Sequence, residues 1–155
     1  MSAMLKGLVI AISLLVFPIT YAAASHVDDP VEDRQAVMKH MGTEMKIITP
    51  IFAGKAEWDE AQLLSSIAIL QENVTPELLQ LYQSHIDPED GSRAKKTIET
   101  SWDDFETRMN KLSLQLGRLM GEIPQGNATA LATFKLVAQS CSGCHKFFRN
   151  RINDR

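Results

Sequence analysis

Residues 131–148 read Leu-Ala-Thr-Phe-Lys-Leu-Val-Ala-Gln-Ser-Cys-Ser-Gly-Cys-His-Lys-Phe-Phe. Within them Leu131, Phe134, Ala138, Cys141, His145 and Phe148 step by 3, 4, 3, 4 and 3, which puts them on one face of a helix. The same stretch contains Cys141-Ser142-Gly143-Cys144-His145, a C-x-x-C-H motif, and the chain has no other cysteine.

Working outward, the rest of the chain repeats the helical spacing. Met38, Met41, Met45, Ile48 and Phe52 step by 3, 4, 3 and 4; Leu63, Ile67, Leu70 and Val74 by 4, 3 and 4. Ile98, Trp102, Phe105, Met109, Leu112, Leu116 and Leu119 alternate fours and threes throughout. Turn-forming clusters at 53–56, 85–92 and 121–127 cut the chain into four such segments. No segment sustains a period of two, so strands are not expected. Four amphipathic helices with short connections predict an all-α fold, an antiparallel up-down-up-down four-helix bundle. Pro50 is expected to tighten the end of the first helix. Pro76 should split the second segment, with Thr75 as cap, and Asn127 or Thr129 should cap the last helix.

The first residues bear on compartment. Lys6, an apolar run from Leu8 to Ile19 and Tyr21-Ala22-Ala23-Ala24-Ser25 have the form of a secretory signal peptide cleaved at a small-residue site. The run falls short of the ~20 residues a membrane span needs. Residues 1–24 are therefore read as the signal and 25–155 as one domain, exported to the periplasm and free of the membrane once the signal is removed. Loss of Lys6 leaves 15 basic against 19 acidic side chains, a net charge of −4. An acidic domain has no electrostatic pull toward nucleic acid, and no acid, base and nucleophile set marks it as an enzyme.

The C-x-x-C-H motif is the attachment signature for haem c. Two thiols one helical turn apart can add to the two vinyl groups on one haem edge, and the next residue turns an imidazole to the iron. Three other readings compete. A thioredoxin-like pair belongs at the start of a helix that follows a strand. A zinc site needs a second ligand pair. A plain disulfide would need nothing more. The apolar stripe extends through Cys141 and His145, so His145 is expected to face the bundle interior. His40 lies off the methionine stripe and reads as solvated, with a distal iron ligand as its alternative reading, while His85 ends the second segment. Asn73-Val74-Thr75 and Asn127-Ala128-Thr129 match the glycosylation triplet, which is common by chance.

A C-terminal C-x-x-C-H on the last helix of an exported bundle resembles the cytochrome c′ family. The resemblance extends through Arg34-Gln35-Ala36-Val37-Met38, Thr49 to Gly54, Trp58 to Gln62, and Phe147-Phe148-Arg149. It departs from the family at Ile98, which is followed by Glu99, the tryptophan coming later at Trp102. The resemblance implies one covalent haem c, with His145 as proximal iron ligand and Arg149 beside it. It also implies Arg34 near a haem propionate and Met38 on the distal side. The family includes His/Met electron carriers and five-coordinate members that bind nitric oxide or carbon monoxide. Redox partner proteins are the expected partners, with a homodimer through the first two helices as a further expectation. Ile47, Ile51 and Leu64 are candidates for that contact. Met41 and Met45 read as core packing.

Overall fold

A computed structural model of the protein describes residues 29–83, 86 and 91–151. The signal-peptide reading and His85 lie outside the described residues. Among the described residues six helices follow in order: α1 (Pro30–Phe52), α2 (Glu60–Glu72), α3 (Pro76–Gln83), α4 (Thr97–Thr100), α5 (Trp102–Glu122) and α6 (Asn127–Phe148). A 3-10 turn, Ile123–Gln125, joins the last two.

Local chemistry sets most of the ends. The Asp29 carboxylate accepts from Val31 N at 2.8 Å, ahead of Pro30, whose fixed φ suits a first helical turn. The Asp59 carboxylate caps α2 by accepting from Gln62 N at 2.9 Å. Pro50 has no N–H to offer Lys46, and two residues beyond it α1 ends. The chain then turns through Gly54 at φ 67°, while the Pro50 carbonyl accepts from Lys55 N and Ala56 N. Pro76 splits the second segment as expected, and the Thr75 hydroxyl accepts from Leu78 N at 3.4 Å.

Two boundaries differ from the sequence reading. The third segment is not one helix: Ser101, at φ −130° and ψ 39°, separates α4 from α5. Thr97, Thr100 and Ser101 are weak helix formers whose hydroxyls compete for backbone partners, and the Thr100 hydroxyl donates to Thr97 O. Neither Asn127 nor Thr129 caps α6. Gly126 at φ 88° stands at that position, a backbone conformation open to glycine that redirects the chain between the 3-10 turn and α6. Asn127 is instead the first residue inside the helix, with its Oδ1 buried and unpartnered.

The helices form the expected up-down bundle. α1 packs on α2 and α3, α2 on α5, and α5 on α6. The ring closes where α6 meets α1, the most sparsely packed of these seams. Ile48, Leu63, Ile67, Leu70, Leu116, Leu119, Ile123 and Val137 fill the interior, almost wholly removed from water. Full burial of each aliphatic side chain is worth about 1.5–3 kcal/mol. An aromatic cluster closes each end of the core. At one, Phe52 stacks on Phe134 at 4.1 Å and meets Trp58 edge-on. At the other, Phe105 lies against Tyr82, Trp102 and Phe148. Of the apolar residues read as a dimer surface, Ile47 is exposed, but Ile51 belongs to the core and Leu64 packs against it. Ile51 lies three residues after Ile48, on the same buried face of α1. Among the described residues no helix is long and apolar enough to cross a membrane.

Candidate haem-attachment site

The C-x-x-C-H motif lies in the last turns of α6, where the helix end is pinned from outside. Residues 93–95 run antiparallel to the chain leaving α6, with Ala94 paired to Arg149. Lys95 N donates to Phe148 O at 2.9 Å, and Asn150 N donates to Arg93 O at 2.8 Å. The Arg93 guanidinium also donates to Asn150 O. Phe148, buried against Phe105, anchors the same turn from inside. The site therefore sits on a helix end fixed on both faces.

Cys141 and Cys144 are unpaired, half-buried and packed against the core. At a spacing of three on a helix their side chains lie side by side, ~5–6 Å between β-carbons. Burial pushes the Cys141 thiol up, and pushes the Cys144 thiol up to about 11. Arg108 opposes that rise at Cys144, and Cys141 and Asp104 add to it. Both sulfurs therefore sit as neutral thiols on an apolar face, suited to carrying an apolar macrocycle through thioethers.

His145 departs from expectation. It lies in an exposed position at the edge of α6, not in the interior, because the buried stripe runs through Ala130, Phe134, Val137 and Phe148 with the two cysteines half-buried beside it. One residue past Cys144 is a rotation of ~100°, which carries the imidazole out of the seam. Its ring is nonetheless partly desolvated by its neighbours. That desolvation, with the Arg149 and Arg93 charges, lowers its pKa and keeps it neutral, the form that ligates a metal.

Arg34 is buried, 3% exposed, at the same end of the bundle. Its guanidinium donates to Leu81 O, lies 3.5 Å from Ser92 Oγ and stands over the Tyr82 ring at 5.2 Å. It ties α1 to the end of α3 and to the segment that pins α6. Arg34→Met keeps the bulk but leaves the Leu81 carbonyl without this donor. It is expected to cost about 1–3 kcal/mol, read from urea denaturation. Met38, one turn further along α1, is half-buried and packs against the core.

Tyr82 was legible only as part of an apolar run, yet it connects these groups. Burial pushes its phenol up to about 12; the Arg34 charge opposes the rise, and Cys144 adds to it. The fold thus prefers the neutral phenol. The resulting stabilisation, about 3 kcal/mol, is complete below the free phenol's value of about 10 and is lost as pH rises from there through 12. Denaturation midpoints measured across that window should fall, and Tyr82→Phe should flatten the fall.

Two more residues at the site escaped the sequence reading. Arg108 holds Asp104 at 3.0 Å and lies over the rings of Phe147 and Phe148. Its place one turn after Phe105 and four residues after an aspartate was a signal available in the sequence. Arg93 gave none, since its partner Asn150 is remote in the chain. Among the described residues no set of three His, Cys, Asp or Glu side chains is arranged to hold a metal ion, so a zinc reading finds no ligand set. The fit is to a macrocycle that brings its own equatorial nitrogens: two adjacent thiols on an apolar face and one neutral imidazole.

Comparison with known proteins agrees. The family described as Cytochrome C′ matches residues 29–149. A cytochrome c-556 of Agrobacterium fabrum (strain C58) is 25% identical over 137 residues, covering 87% of this chain and 90% of that protein. Another, from Agrobacterium tumefaciens (strain II Chrys), is 24% identical and covers 77% and 95%. The fold superposes on a Rhodopseudomonas palustris cytochrome c′ variant with a TM-score of 0.73 and 26% identity, covering 80% of this chain and 99% of that one. It also superposes on the nitric oxide complex of an Alcaligenes xylosoxidans cytochrome c′ variant, TM-score 0.70 and 21% identity, covering 79% and 95%. With the matched pattern running from the α1 cap to the residue after α6, the chain belongs to the cytochrome c′ family and carries covalently attached haem c with its iron.

Proposed function

We propose that this protein is a periplasmic, single-haem electron carrier, exported by residues 1–24 and not an enzyme. Haem c supplies a one-electron ferric/ferrous couple when attached. Cys141 and Cys144 hold one edge of the macrocycle, and His145 offers a neutral nitrogen lone pair to the iron. Arg149 and Arg34 place positive charge at the same end of the bundle, where Arg34 would face a propionate. Met38 offers a thioether from α1, half-buried against the same core as the two cysteines. A thioether bound to the iron would raise the potential and close it to gases.

The observation that carries the reading is this placement of a half-buried methionine on α1 together with the attachment motif on α6. A second reading has its own support, since solved neighbours include nitric oxide complexes of cytochrome c′. In that reading Met38 only packs, and the iron keeps an open position. Visible spectra of the purified protein, oxidised, reduced and then under carbon monoxide, separate the two. Sharp low-spin bands indifferent to carbon monoxide support electron transfer. Broad bands that shift with the gas would replace that reading with gas binding.

A further inference from the structure

Glu44 stands on α1 where the core stripe calls for an apolar residue. Met41, Glu44, Ile48 and Ile51 are all buried and step by 3, 4 and 3, so the carboxylate shares a face with its apolar neighbours. A carboxylate removed from water is costly unless a partner compensates it. Among the described residues Glu44 accepts no hydrogen bond, and its one ion-pair partner is His40, whose Nε2 lies 3.9 Å from Oε1. That is too far for a hydrogen bond. As an ion pair it also runs in the weaker order, since an acid four residues before a base is favoured on a helix over the reverse. The separation fits a different arrangement. Zinc bonds run about 2.0–2.1 Å to an imidazole nitrogen and about 2.0–2.2 Å to a carboxylate oxygen. Two such atoms on one ion lie about 3.4 Å apart at the tetrahedral angle and at most about 4.3 Å apart. The observed 3.9 Å falls inside that range. The His40 side chain is 55% exposed and that of Glu44 9%, an open ligand beside a buried one, which gives an ion a way in from solvent.

We propose that His40 Nε2 and Glu44 Oε1 bind one divalent transition ion of the zinc type, with water completing its coordination. An imidazole and a carboxylate are donors that ions of this kind take. Two protein ligands make a labile site and not a closed structural one, in keeping with the absence of a third His, Cys, Asp or Glu ligand among the described residues. The pair converges only while α1 is helical there, so the ion binds the folded chain in preference to the unfolded one and stabilises it. It also offsets the charge of the buried carboxylate. Neither ligand belongs to the Cys141–His145 motif, so the proposal does not depend on the haem reading.

The test uses tag-free, haem-loaded protein and zinc sulfate at neutral pH, with metal content and stability as the readouts. Equilibrium dialysis against rising zinc should load about one ion per chain, with half-saturation below about 1 mM. His40→Ala and Glu44→Gln should each weaken that binding about tenfold or more, since even the hydrogen-bond partners of metal ligands are worth about tenfold. His85→Ala removes a histidine from another segment and should change it by less than about twofold. Zinc at about ten times half-saturation should raise the urea midpoint of the wild type and leave that of His40→Ala unmoved. His40 is exposed, so this variant leaves the core intact and carries the test alone should Glu44→Gln not fold. Zinc held equally by the wild type and the variants would show an adventitious ion only and overturn the site. No uptake by the wild type at about 1 mM, or a urea midpoint that zinc does not raise, would overturn it as well.

Discussion

Replacing both Cys141 and Cys144 by alanine is expected to abolish covalent haem almost completely. The two thiols are half-buried and unpaired, and the chain has no other thiol to substitute for them. The measurement is haem staining after denaturing electrophoresis of protein exported from a host able to attach haem, with acidic acetone extraction as a second readout. The single variants should retain some covalent haem through the remaining thioether. The bundle should survive the change. A buried free cysteine behaves as a small apolar residue, so each loss of sulfur is expected to cost about 1 kcal/mol in the haem-free chain. Helical circular dichroism separates this outcome from misfolding. His145→Ala is the complementary experiment: covalent haem should persist, because both thioethers remain, while the spectrum loses the signature of imidazole ligation. Covalent haem that persists in the double variant would remove the two cysteines from the site.

These expectations rest on features of unequal legibility. The bundle was readable because the interior is apolar and each helix repeats its spacing over several turns, so one period error does not disturb the whole. Ile48, Ile67, Leu116 and Leu119 all lie where the stripes put them. The attachment motif was readable for a different reason: its chemistry depends on residue type and adjacent spacing alone. What escaped were features set by tertiary contact. His145 followed the apolar stripe by count, but the imidazole is exposed while Cys144 beside it is half-buried and Phe148, beyond both, is buried as the stripe puts it. Alternating threes and fours allow either Cys144 or His145 between Cys141 and Phe148, and the count alone does not choose. Arg34 was named from the resemblance, yet its burial under Leu81 and Tyr82 follows from where α3 ends, which no local pattern encodes. Glu44, buried on α1, had no signal at all in a helix otherwise rich in exposed charge.

Met38→Leu is expected to have the largest effect on the iron. Leucine matches methionine closely in volume, so the packing of α1 against the core should change by less than about 1.5 kcal/mol while the sulfur is lost. If the thioether ligates, the ferrous protein should change from low-spin to high-spin bands and acquire carbon monoxide binding. The potential should fall by roughly 0.1 V or more, a fraction of the ~0.8 V range that axial ligands span. Met41→Leu and Met45→Leu provide the comparison. Met41 is buried in the core and Met45 packs against it, both on the same stripe, so a response confined to Met38→Leu assigns the effect to sulfur at the iron and not to loss of methionine from the helix. An unchanged spectrum in all three would leave Met38 as packing and favour the open-iron reading. Met38, Cys141 and Cys144 are all half-buried and pack against one core, so a substitution at Met38 that keeps its volume tests the sulfur and little else.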